Sequence, residues 1–364
     1  VSQWIFGEIS GKPVSGSGKF WASEPRMSLK SADISSAGGG WGKPGAAAHG
    51  SLYYHAAVID RQTEGSAMTD RREFLSQVGA ASLASLAPGA TFAAAQTLSS
   101  RRIPGKDERL GVVGLGNSQA FRNGNTEVAK GLLETFFRHG GNYVDCAGDG
   151  ANLVASLAGT LGHRDAAFLG SYFGAEPGAK SEAGMQRLRA IRGGRPLDLV
   201  HTYPEGGVPH WDTLRRWKDE GITRYIGLAR HNVRYYDAMM KVMRTGTMDF
   251  LQVNLSPLET EAEERILPLA KDQGIAVTIN RPFINGRYFS IVKGRQLPAW
   301  AVEFDCTSWA QFSIKYILSH PAVTCVLTET ANPAHLRDNL GGGAGQMPDQ
   351  KTRRRMRDLI LSFT

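Results

Sequence analysis

The sequence predicts a parallel (β/α)8 barrel, the TIM-barrel class of α/β fold, over its last ~270 residues, close to the usual size of that fold. Three observations carry this reading. From Arg109 onward, short apolar runs alternate with helical patterns through eight units. Glycines close the helices at matching places, as at Gly140, Gly162, Gly221 and Gly274. An open, doubly wound sheet is the competitor. Against it, Gly114-Leu115-Gly116 lacks the third glycine of a dinucleotide fingerprint, and no acidic strand end follows in the required context.

The units run in order. Leu110 to Val113 is the first strand, and Asn125 or Thr126 caps a helix that continues through Arg138. Tyr143 to Asp145 is the second strand; Cys146-Ala147-Gly148-Asp149-Gly150 then reads as a loop before a helix from about Asn152 to Leu161. Ala167 to Leu169 precedes the helix Glu182 to Ile191, and Leu197 to His201 precedes Trp211 to Glu220. Tyr225 to Ala229 leads to Tyr235 to Arg244, and Phe250 to Asn254 to the periodic helix Glu261 to Asp272. Ile275 to Ile279 is followed by a long loop and the helix Ser308 to Leu318. Val323 to Leu327 is the eighth strand, and Pro333 opens the helix that follows. A last helix covers about Lys351 to Ser362.

The chain before this region differs in kind. Residues 1–67 are rich in Gly, Ser and Ala without periodicity, so they cannot bury enough apolar surface to offset chain entropy. They read as a disordered extension or as sequence upstream of a true start at Met68. Residues 68–95 resemble a twin-arginine export signal: Arg71-Arg72, then Phe74-Leu75, an uncharged stretch from Val78, and the small residues Ala93-Ala94-Ala95. With Met68 as the start, the expected destination is the periplasm or beyond, through the twin-arginine export machinery. Otherwise the expected location is the cytoplasm. Residues 96–364 then form a single barrel domain with a C-terminal helix.

Composition narrows the chemistry. The net charge of +8 is mild for 364 residues and spread over many segments, so nucleic acid is not an expected partner. The densest basic cluster, Lys351 to Arg357, reads as a solvated helix face. Three cysteines in no CxxC spacing, and nine histidines in no ligand pattern, give no expectation of a metal. No apolar run is long enough to span a membrane.

The second half resembles the aldo/keto reductases. The likeness lies in Asp219-Glu220-Gly221-Ile222-Thr223-Arg224-Tyr225-Ile226-Gly227, in Asp249-Phe250-Leu251-Gln252-Val253-Asn254, in Glu263 to Pro268, in His320-Pro321-Ala322-Val323 and in Pro333 to Leu340. The resemblance implies NADP or NAD bound at the C-terminal face of the barrel and a small carbonyl or alcohol substrate. It also implies four catalytic groups: a tyrosine acid, a lysine and an aspartate that tune it, and a histidine that orients the carbonyl. Asp145 stands at the aspartate's place. Gly150 stands where the tyrosine should be, Tyr172 where the lysine belongs, and Tyr203 at the histidine's spacing, with His201 two residues earlier.

The cofactor positions are mixed in the same way. Gln252 is expected at the nicotinamide amide. Ala229-Arg230 replaces a Ser-Asn pair. Asn280-Arg281-Pro282-Phe283 keeps the proline of the pyrophosphate loop. Thr330, Asp338 and Asn339 fit the adenosine-phosphate end, with His335 where arginine is common and Asn332 where lysine occurs. The weaker positive charge implies weaker selection for a 2′-phosphate. Two functions follow. One is an NAD(P)-dependent oxidoreductase with altered catalytic residues, in which Tyr172, supported by His201 and Asp145, is the relocated acid. The other is a barrel that binds a cofactor or small ligand without reducing carbonyls. An interaction protein using the basic C-terminal helix is a third, lesser alternative.

Overall fold

The computed structural model describes residues 97–174, 178–206 and 208–364, all within the unit Ala87–Thr364. The extension 1–67 and the signal-like segment 68–95 lie outside the described residues. The chain enters through a hairpin of β1 (Ser100–Arg102) and β2 (Arg109–Gly111), paired antiparallel. Eight strands follow: β3 (Val113–Leu115), β4 (Tyr143–Asp145), β5 (Phe168–Tyr172), β6 (Leu197–Thr202), β7 (Thr223–Ala229), β8 (Phe250–Asn254), β9 (Ala276–Asn280) and β10 (Val323–Thr328). They close into a barrel in the order β10-β3-β4-β5-β6-β7-β8-β9, and every pair is parallel. The fold class read from the sequence is therefore the observed one.

Strand alternation sorts the side chains. Tyr143, Phe168, Leu199, Tyr225, Phe250 and Cys325 point inward and pack together. Their neighbours Val144, Leu169, Val200, Ile226, Leu251 and Val326 join the larger core shared with the helices. Ile103 and Leu110 of the hairpin belong to the inner cluster. The Arg101 guanidinium donates to the carbonyls of Leu318 and Val323, where β10 begins. The hairpin therefore closes the floor at the N-terminal ends of the strands and leaves the C-terminal mouth open.

Three local readings change. Leu110 lies in the floor hairpin, and the first barrel strand starts at Val113, because the chain bends at Val112. The stretch Cys146 to Gly150 is not wholly loop. A helix runs Gly148–Thr160, entered at Gly148 with a φ of +54° and with Asp149 in its first turn, where a carboxylate favours a helix N-terminus. The long loop after β9 carries a short helix, Arg287–Val292, and 3-10 turns at Ile284–Gly286 and Ala299–Phe304.

Candidate active site

The site is built from inward positions at the C-terminal ends of β4 to β9. Asp145 ends β4 and is 3% exposed. Across the ladder it pairs with Gly170, Tyr172 pairs with His201, His201 with Gly227, and Ala229 with Gln252. The two glycines make the room. A Cβ on Gly170 would lie 2.2 Å from Asp145 Oδ1, and one on Gly227 would lie 2.7 Å from His201 Nδ1. Glycine in a strand interior costs stability, and here it admits a carboxylate and an imidazole into the barrel.

Asp145 is the hub. Its Oδ2 accepts from the Tyr172 hydroxyl in a short bond and from Gln252 Nε2 at 3.0 Å, and its Oδ1 accepts from the Tyr143 hydroxyl at 3.2 Å. Gln252 Oε1 lies 2.9 Å from the Tyr172 hydroxyl and accepts from Asn280 Nδ2 at 3.2 Å. His201 Nε2 stands 3.9 Å from Asp145 Oδ1, too far for a hydrogen bond. The Tyr172 ring lies against His201, with centroids 5.3 Å apart, and stacks on Tyr203 at 5.7 Å and 15°. The four sequence-picked residues Asp145, Tyr172, His201 and Tyr203 therefore meet in one cluster.

The electrostatics follow from burial around one carboxylate. Burial first, and the Asp145 charge second, hold the Tyr172 hydroxyl well above the ordinary tyrosine range. The same two causes push Tyr203 up to about 12, with Arg230 pulling the other way and Glu205 adding to the rise. Burial lowers His201 below the usual imidazole value, with Asp145 opposing, which favours the neutral ring at pH 7. Both its ring nitrogens lack a hydrogen-bond partner among the described residues.

The candidate cofactor residues divide into two groups. Around Gln252, the Oδ1 of Asn280 and the Nε of Arg281 are buried without a hydrogen-bond partner among the described residues. Arg281, Ile284 and Asn285 have φ of 52°, 50° and 52°, left-handed for non-glycine residues, a clustering of strain that marks ligand-binding loops. Pro282 is fixed by Ser313 Oγ donating to its carbonyl at 2.7 Å, and Phe283 packs on Phe289 at 4.8 Å. At the other end the groups are engaged internally. Thr330 Oγ1 accepts from the Asn332 amide, Asn332 caps the helix Pro333–Gly341, and Asp338 accepts from Gln311 Nε2 at 2.9 Å. Asn339 is buried and His335 exposed. Among the described residues no three His, Cys, Asp or Glu side chains gather as a metal site would require.

Sequence reasoning missed three participants. Tyr143 precedes Asp145 by two and so shares its face, a spacing that could have found it. Arg230, read as the loss of a Ser-Asn pair, lies with its guanidinium 5.6 Å from the centroids of Tyr203 and Tyr235. Glu205, beyond Tyr203, forms an ion pair with Arg230.

The carboxylate-centred cluster lies at the C-terminal ends of the parallel strands, the end at which (β/α)8 barrels carry their active sites. Residues 204–355 match the model of the Aldo/keto reductase family. The barrel is similar to an aldo-keto reductase of Bacillus halodurans in its holo form, at 16% identity and a TM-score of 0.58, covering 72% of this chain and 96% of that one. It is similar to an aldo-keto reductase of Klebsiella pneumoniae solved in complex with NADPH, at 16% identity, a TM-score of 0.58, and 73% and 95% coverage. A putative aldo-keto reductase of Pseudomonas aeruginosa matches at 19% identity and a TM-score of 0.54, over 68% and 96%. No curated protein sequence matches the chain. The resemblance to the aldo/keto reductases is thus borne out, and the barrel has their fold.

Proposed function

We propose that this protein is an NAD(P)-dependent oxidoreductase of the aldo/keto reductase type, acting on a small carbonyl or alcohol with altered catalytic residues. The observation that supports it most is the cluster itself: Asp145, Tyr172, His201, Tyr203 and Gln252 gather at the C-terminal end of the barrel beside a strained loop. The unpartnered Asn280 Oδ1 suits a carboxamide donor, and Arg281 suits a phosphate. Asn280, Gln252 and the Arg281–Phe283 loop would hold the nicotinamide half, and Thr330, His335, Asp338 and Asn339 the adenosine half. The bound nicotinamide supplies or accepts a hydride. The chain's own part is to orient and to handle the proton. Asp145 fixes Tyr172 and Gln252, and neutral His201 lines the interior behind them.

The test is direct. NADPH and NADH are titrated against tryptophan fluorescence, and a panel of aldehydes is then assayed with whichever nucleotide binds. Saturable binding with turnover upholds the reading, and absence of binding by both nucleotides overturns it. Neither His335 nor the helix-capping Asn332 supplies a fixed positive charge, so the two nucleotides are expected to bind within about tenfold of each other, the effect of ~1.4 kcal/mol.

One observation favours a second reading, a barrel that binds nucleotide without reducing carbonyls. Tyr172 and Gln252 direct hydrogen bonds at Asp145 and away from a ligand. Binding without turnover selects it. The twin-arginine-like segment at Arg71-Arg72 supports export of the folded barrel if translation starts at Met68. Mass spectrometry of the native N-terminus tests that part.

A further inference from the structure

We propose that Tyr203 is the proton donor of the reaction proposed above, and that Arg230 is the positioning residue that holds and tunes it. This rests on the oxidoreductase reading and assigns the acid to a residue other than Tyr172.

Tyr172 has one hydroxyl proton and gives it to Asp145. Handing that proton to a substrate would leave a tyrosinate against a carboxylate inside the barrel, two like charges with no cation bonded to either. Tyr172 therefore does what a tethered strut does: it braces Asp145 and presents a flat ring to its neighbour. Tyr203 is that neighbour. Its ring stacks on Tyr172 at 15°, so the hub fixes its plane. Among the described residues its hydroxyl has no hydrogen-bond partner, and the side chain is half-buried, so the proton is free to be given.

Arg230 supplies what the hub lacks, a cation beside the acid. Its guanidinium lies 5.6 Å from the Tyr203 centroid. The residue is anchored three ways: its backbone N donates to Gln252 O at 2.9 Å, its guanidinium pairs with Glu205, and it lies over Tyr235. A guanidinium stays charged at every working pH, so it stabilises the tyrosinate that the transfer leaves behind. It opposes the burial, the Asp145 charge and the smaller effect of its own partner Glu205, all of which push Tyr203 upward.

The step balances. As the carbonyl carbon accepts a hydride, the carbonyl oxygen takes the proton from Tyr203. The tyrosine O–H bond breaks, an alcohol O–H bond forms, and solvent returns a proton to the tyrosinate. The carbonyl is reduced by the electron pair of the hydride, which the nicotinamide loses.

The test joins two readouts on the full chain. NMR of ring-labelled tyrosine follows ionisation directly, with the Tyr203 signal identified by its loss in Tyr203→Phe. Arg230→Gln is expected to move that signal to higher pH, and Arg230→Lys, which restores a positive charge, to bring it most of the way back. In the aldehyde assay, Tyr203→Phe is expected to lower kcat by about 100-fold or more with nucleotide binding retained, as loss of a general acid does. Tyr172→Phe is expected to lose less. A Tyr203 signal indifferent to Arg230→Gln overturns the tuning role. Near-normal kcat in Tyr203→Phe overturns the donor role. If the unsubstituted protein binds nucleotide but reduces no carbonyl, the functional reading fails and the donor role with it, while the NMR still decides whether Arg230 tunes Tyr203.

Discussion

Tyr172 donates its hydroxyl proton to Asp145 from the strand position where the family resemblance places a lysine. The substitution changes the charge arithmetic of the site. A lysine would neutralise the carboxylate, whereas here Asp145 is held by neutral donors alone: Tyr172, Gln252 and Tyr143. Tyr172→Phe removes one of these bonds to a buried charge and keeps the ring stack. We expect a loss of about 1.5–3 kcal/mol in unfolding free energy, the usual worth of a hydrogen bond to a charged group. Urea unfolding should show a lower midpoint at unchanged slope. An unchanged midpoint would mean that the bond contributes nothing net.

Gly170 exists to make space for Asp145. An added methyl would stand 2.2 Å from Asp145 Oδ1, closer than packed atoms approach, and a tight 3.0 Å from the Tyr143 hydroxyl. The carboxylate is buried and bonded, so it cannot swing away cheaply. Gly170→Ala is expected to destabilise by about 1–3 kcal/mol through overpacking and to weaken nucleotide binding by displacing Gln252 together with Asp145. The control is Gly131→Ala, a helical position where the new methyl meets nothing within 4 Å and a small gain in stability is expected.

Much of this was legible beforehand because barrel strands write their own punctuation. Tyr143-Val144-Asp145 is short, apolar and ends in a charge, and Gly140 before it marks the helix stop. Strand-end position located Asp145, and the family resemblance laid over the strand ends pointed to Tyr172 and His201. The floor hairpin was not legible, since Arg109 to Leu115 is one unbroken apolar run after its first residue and the bend at Val112 leaves no mark in the residue types. Gly148 looked like a loop because two glycines flank Asp149, yet tertiary packing starts the helix there. The role of Arg230 was hidden for a different reason. Its partners Glu205, Tyr203 and Tyr235 come from other segments, and only the closed barrel brings them together.

Stability should fall at both ends of the pH range, for opposite reasons. His201, His231 and His320 all have pKa values lowered in the fold, in each case chiefly by burial. The unfolded chain then binds more protons once pH drops below about 6.5, so stability present above that value is lost as pH falls through the lower folded values. The tyrosines act the other way. Burial raises Tyr203 and Tyr225 to about 12, and Tyr172 and Tyr143 well above the ordinary value of 10.0. The folded chain keeps protons that the unfolded chain releases, so stability present below about 10 is lost as pH rises. Thermal midpoints measured across pH should form a plateau between these limits. His201→Gln should soften the acid slope and leave the alkaline one unchanged.

Ion pairs in this barrel should differ in worth by their burial. Asp198, the second residue of β6, has its carboxylate enclosed: Oδ2 forms an ion pair with Arg192 Nη2 at 2.7 Å and accepts from the Leu169 amide at 2.9 Å, and Oδ1 accepts from Arg224 Nη1 at 3.0 Å. The Arg192 and Asp198 side chains are 7% and 5% exposed. Removing the carboxylate leaves a buried guanidinium and a strand amide without their acceptor, so Asp198→Ala is expected to cost about 3–5 kcal/mol. The pair of Arg102 and Asp107 has 3.1 Å geometry of similar quality, yet its side chains are 64% and 99% exposed. Water screens it, and Asp107→Ala is expected to change stability by less than about 0.5 kcal/mol. Denaturant midpoints of the two variants decide the matter. Equal losses would show that burial does not set the worth of these pairs. A large loss confined to Asp198→Ala would show that the enclosed carboxylate, bonded to the Leu169 amide of β5, ties β5 to β6.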